Sequence, residues 1–90
     1  MNMKIIVSTP SAVEVSKMDF SSWGTWECGV SIFPWSYDAK ETCYILEGNV
    51  VVETVDQKVE FKKGDLVVFP KGLTCKWNVL KPVRKYYKFE

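Results

Sequence analysis

The sequence predicts an all-β fold, an antiparallel β-barrel or two-sheet jelly-roll sandwich with little or no helix, and three observations carry that reading. Apolar residues recur at every second position through much of the chain, turn-forming residues interrupt the runs at short intervals, and only one stretch has helix signals. A length of 90 residues makes one domain, 1–90, with room for one core. Hydrophobic residues at 47% and aromatics at 14% let that core be dense enough to fold without staples.

In chain order, MNMKIIVSTP supplies a first short strand at 4–7. SAVEVSKM, residues 11–18, follows Pro10 and is the single helix candidate, one turn that Thr9 or Ser11 can cap. Strands are then expected at 25–33, 41–47 and 50–55, the last two parted by the turn residues Glu47-Gly48-Asn49. After Asp56-Gln57, KVEFK at 58–62 sets Val59 and Phe61 on one face against Lys58, Glu60 and Lys62 on the other. Lys63-Gly64-Asp65 leads into a strand at 66–69, and Pro70-Lys71-Gly72 into one at 73–80. There Cys75, Trp77 and Val79 oppose Lys76 and Asn78, and a last strand covers 83–89. Gly48 and Gly64 stand at strand ends where tight turns call for positive φ. TCYIL (42–46) and LVVF (66–69) are apolar on both faces, so their second face needs a cover, and a second copy of the chain would supply it as a homodimer.

Charge narrows the partners. Twelve basic against 11 acidic side chains leave +1, so the totals do not favour nucleic acid. The basic, aromatic C-terminus KPVRKYYKFE reads as a solvated strand face. Three cysteines, at 28, 43 and 75, make no C-x-x-C pair and no disulfide framework. The short apolar run at the N-terminus lacks a signal-peptide core, and no 18-residue apolar run occurs, so the expectation is a soluble cytoplasmic protein with no membrane partner.

Two frames of residues go further. Gly29, Trp35, Tyr37, Glu41 and Gly48 form the first (29–48), and Gly64, Pro70, Gly72, Cys75 and Val79 the second (64–79). Their spacing resembles the two motifs of the cupins, G-x5-H-x-H-x3/4-E-x6-G and G-x5-P-x-G-x2-H-x3-N. ETCYILEG, KKGDLVVFPKGLTCKWNV and KPVRKYY look like the small single-domain cupins grouped with the cupin domain of (S)-ureidoglycine aminohydrolase. The resemblance implies a cupin β-barrel. It also implies that the positions pointing into the barrel, where the family holds a divalent metal with three histidines and a glutamate, are here Trp35, Tyr37, Cys75 and Glu41. It does not select an activity, because one fold hosts many.

The chain has no histidine, so the expected metal set is none, with a thiolate-rich zinc site at Cys75, Glu41 and Cys43 as the alternative. In place of a metal, Trp35, Tyr37, Glu41, Cys75 and Trp77 would line a pocket for a small organic ligand. In an enzyme of the same frame, Glu41 would act as general acid or base, assisted by Tyr37 or Cys75. Other readings stay open: Trp35 and Tyr37 as plugs of a barrel without metal, Cys75 as an inert buried thiol, Trp77 as core, and the whole chain as a ligand-free dimerisation module. Glu41 is the hardest to treat as packing, since a carboxylate inside a barrel needs a partner. Lys40, Lys71, Lys76 or Arg84 could be that partner, or water and ligand could.

Overall fold

The structure, a computed structural model, describes residues 3–90. Seven strands form one antiparallel sheet that folds over on itself: β1 (Ile6–Ser8), β2 (Gly24–Cys28), β3 (Ser31–Ser36), β4 (Glu41–Glu53), β5 (Lys58–Lys62), β6 (Leu66–Phe69) and β7 (Thr74–Phe89). The order is β1-β6-β4-β7-β2, with β5 also on β4 and β3 also on β7. β4 and β7 are thus shared between two layers. Their first and second halves respectively pair with β6 and β2, and their other halves with β5 and β3.

This continuity corrects the sequence reading at two places. The stretches expected as separate strands at 41–47 and 50–55 are one bent strand, and so are those at 73–80 and 83–89. Glu47-Gly48-Asn49 is no hairpin turn: the β4–β7 register shifts at Ile45/Glu47, Glu47/Asn49 and Asn49/Val50, and these irregularities bend the ladder from one layer into the other. Gly48 sits at the bend with φ 108°, and a Cβ there would lie 2.6 Å from the Pro82 carbonyl oxygen, so both backbone angle and space demand glycine. Conversely, the strand expected at 25–33 is two strands, broken at Gly29-Val30. The strands at 58–62 and 66–69 lie where the alternation put them.

The one α-helix among the described residues, α1 (Ala12–Ser16), is short and starts in a capping box: Ser11 Oγ accepts from the Glu14 N–H while the Glu14 carboxylate accepts from the Ser11 N–H. Thr9, expected as an alternative cap, instead donates to Asp65 Oδ1 at 2.8 Å. Asp65 Oδ2 accepts from the Lys62 N–H at 3.0 Å, so this buried carboxylate ties the N-terminal segment to the β5–β6 turn.

Inward-facing side chains of both layers make the core, with Trp77, Phe61, Phe69, Ile45 and Val50 among those fully buried. Truncating one of the aromatics to alanine removes contacts worth about 3–5 kcal/mol. The second face of β4 is partly covered within the chain: Phe20, in a 3₁₀ turn at Phe20–Ser22, stacks on Tyr44 at 5.4 Å and on Tyr86 at 4.6 Å.

Candidate functional site

Period-two alternation decides which side chains enter the barrel. On β4 these are Glu41, Cys43 and Ile45; on β7, Cys75, Trp77, Val79, Val83 and Lys85. Glu41 is accordingly an interior carboxylate, 3% exposed. Both of its oxygens are engaged: the Tyr37 hydroxyl donates to Oε1 at 2.9 Å, and the Lys85 ammonium donates to Oε2 at 2.7 Å.

Lys85 is the cation that the sequence reading did not name. Of the four it named, Lys40 pairs through its backbone with Glu90, Lys71 and Lys76 are exposed, and Arg84 points to the outer face, where it meets Glu47 at 3.0 Å. A signal for Lys85 was present in the alternation, because it falls in phase with Val83 and Tyr87. Aromatic rings surround its ammonium, with centroids at 4.6 Å for Trp77, 4.9 Å for Trp26 and 5.9 Å for Tyr87. Such faces attract a cation and offset part of the cost of taking it out of water. Direct contact with Glu41 offsets more, and the Tyr37 hydrogen bond completes the set.

Beside this pair is a cavity of about 190 Å³. Trp35, Tyr37, Glu41 and Trp77, four of the residues expected at a pocket, line it. Trp26, Phe33, Lys85, Tyr87 and Phe89 line it too, and sequence reasoning missed them as site residues. Trp35 stands at the opening, half exposed, and its ring meets that of Tyr37 edge to face at 6.4 Å. Phe33 and Trp77, both in its wall, stack nearly parallel, 5.9 Å apart and 15° from coplanar.

Cys75, the fifth expected residue, does not line the cavity. It is the register partner of Trp35 and so shares its face, but a short thiol among long aromatic side chains stays beneath them, 5% exposed. Burial pushes the thiol up to about 11, with the Trp77 indole N–H pulling the other way and the Glu41 charge adding to the rise. A protonated, covered thiol is a poor nucleophile. Cys43 shares the inward face of Glu41, as expected, yet burial pushes it up to about 12. Burial, then the neighbouring Glu41 charge, likewise holds the Tyr37 phenol well above its ordinary range, which keeps it a hydrogen-bond donor to Glu41.

A family model described as the EutQ-like cupin domain matches residues 15–87. The chain belongs to the EutQ-like cupin family. The resemblance read from the two glycine-bounded motifs is thereby borne out. Among solved structures, this cupin is similar to a protein of the DUF861 family from Thermotoga maritima, 48% identical over 97% of this chain and 100% of that one, with a TM-score of 0.91. It is also similar in fold to the EutQ protein of Clostridium difficile (22% identity, 94% and 66% covered, TM-score 0.68). A putative ethanolamine utilization protein Q of Salmonella typhimurium gives the same picture (23% identity, 94% and 68% covered, TM-score 0.68). Comparison with curated proteins returns no match.

The metal frame that the cupin motifs imply does not fit the side chains present. Trp35 has no ligating atom, Tyr37 spends its proton on Glu41, and Glu41 is held by an ammonium at 2.7 Å. Among the described residues no group of three or more His, Cys, Asp or Glu side chains comes together as a metal set, so the trio Cys75, Glu41 and Cys43 is not assembled for zinc. In this cupin, Lys85 supplies the positive charge beside Glu41.

Proposed function

We propose that this cupin binds a small organic ligand in the aromatic cavity beside the Glu41–Lys85 pair. The observation that carries the reading is the cavity itself: about 190 Å³ between Trp35, Phe33, Trp77 and the buried ion pair. A ligand-free dimerisation module would need no such opening, and its interior would be filled by side chains. Ligand sites are commonly apolar clefts with a few polar groups set in the wall, which is the composition here.

A second reading is favoured by one specific contact set. Glu41 lies within hydrogen-bond reach of two further titratable groups, Tyr37 and Lys85, so the three form a chain along which a proton can pass to or from a bound substrate. On that reading the site performs metal-independent acid–base chemistry with Glu41 as the base. Residence in the cytoplasm and assembly as a homodimer belong to the same proposal. Apolar side chains at Ile6 and Val7, exposed on edge strand β1, support the assembly; among the described residues no helix is long and apolar enough to cross a membrane.

The four tryptophans make the test. Trp26, Trp35 and Trp77 line the cavity, whereas Trp23 packs against Phe20 away from it. In an NMR screen of small ring compounds, the expected result is a ligand that shifts the cavity indole signals and leaves Trp23 still. Trp35→Ala should weaken that ligand while leaving the fold intact, because Trp35 is half exposed. A broad library that never moves the three cavity indoles would contradict the reading.

A further inference from the structure

The polar groups of the cavity are unequally satisfied, and the inequality says what a ligand must carry. Glu41 has a donor on each oxygen, the Tyr37 hydroxyl at 2.9 Å and the Lys85 ammonium at 2.7 Å. Lys85 is different. An ammonium has three N–H donors and no acceptor. Among the described residues, Glu41 Oε2 is its one hydrogen-bond acceptor, although the side chain is only 6% exposed. Its other neighbours are aromatic faces, which attract charge but do not replace an oxygen lone pair. The deficit in the wall is therefore of acceptors.

We infer that the ligand is a flat molecule of about one ring that presents a carboxylate or carbonyl oxygen to the Lys85 ammonium. This rests on the reading of the cavity as a ligand site and adds the chemical class. Size follows from about 190 Å³, below the range of roughly 300–1,000 Å³ typical of pockets for larger ligands. Ring character follows from the lining, where Trp26, Phe33, Trp35 and Tyr87 offer aromatic surface for stacking or edge contact. Polarity follows from Lys85: an oxygen acceptor completes the ammonium shell, whereas both Glu41 oxygens already have donors, so a cationic ligand finds no free acceptor to meet. Specificity of this kind is steep because a buried donor left unpaired is costly, so a molecule of equal shape without the oxygen is disfavoured.

A matched series of benzoate, benzamide, toluene and benzylamine tests it, with affinity read from the indole signals of Trp26, Trp35 and Trp77 and contact read from the Lys85 side-chain nitrogen signal. Benzoate and benzamide should bind at least about tenfold more tightly than toluene. Benzylamine should be weakest, and the Lys85 nitrogen should shift with the two oxygen-bearing compounds alone. The double variant Lys85→Met with Glu41→Gln removes the charge pair together and should level the series. Toluene or benzylamine binding as tightly as benzoate to the unaltered protein overturns the inference and leaves the cavity reading standing. So does an oxygen preference that survives in the double variant. Silence of the cavity indoles toward these four and toward a broad library overturns both. Should the double variant not fold, the unaltered protein and its Lys85 signal decide the matter alone.

Discussion

Arg84 and Lys85 are neighbours on β7, and each reaches a glutamate of β4, but they do so on opposite faces of the same ladder. Outside, Arg84 meets Glu47 at 3.0 Å with both side chains well exposed; inside, Lys85 meets Glu41 at 2.7 Å with both nearly sealed from water. Distance alone would rank the two pairs as equals. Environment separates them: water screens the outer pair and solvates either partner when the other is lost, whereas the inner pair has only aromatic walls and Tyr37 to fall back on. One residue of alternation therefore divides a decorative contact from the centre of a site.

The sharpest way to break the contrast is to remove one inner partner. Glu41→Gln leaves the Lys85 ammonium buried without a counter-charge, and Lys85→Met does the same to the carboxylate. Each should cost roughly 3–5 kcal/mol in chemical denaturation. Stability alone therefore does not separate an anchoring Glu41 from one that serves a ligand, so binding has to be read beside it. Replacing both together should recover much of the loss, since a paired vacancy strands no charge.

A smaller effect belongs to the thiols of the interior. Cys43 and Cys75 are raised from ordinary thiol values near 9 to about 12 and about 11, so the folded state holds their protons more tightly than the unfolded chain does. Their contribution to stability is fully present below about pH 9 and is lost as the pH climbs through 11 and 12. Denaturation midpoints should fall over that range, and Cys43→Ala should flatten the fall. At pH 8 a thiol reagent should label the half-buried Cys28 and spare the other two. The smallest effect is expected outside: Arg84→Ala should change stability by only about 0–1 kcal/mol.

Faces were legible in the sequence where partners were not. Alternation in KVEFK and LVVF placed β5 and β6, and the spacing from Gly29 to Gly48 put Trp35, Tyr37 and Glu41 at one end of the barrel. The continuity of β4 through Gly48 was hidden, because a glycine between polar residues reads locally as a turn and only the Pro82 backbone beside it reveals a bend. The pairing of Lys85 with Glu41 was hidden for a related reason. The two lie 44 residues apart, and no local pattern states which strand will cross to meet which. The cation candidates taken from the sequence were residues near the motifs or the rim, while the one that pairs is in phase with the apolar inward row.

Whether Lys85 serves as the counter-charge of Glu41 is tested most directly by a double-mutant cycle. Stability would be measured for Glu41→Gln, Lys85→Met and both, alongside Glu47→Gln, Arg84→Met and both. Since two single losses of roughly 3–5 kcal/mol are to be mostly recovered in the double variant, the prediction is a coupling of at least about 3 kcal/mol for the inner pair against less than about 0.5 kcal/mol for the outer one. An inner coupling no larger than the outer would contradict it.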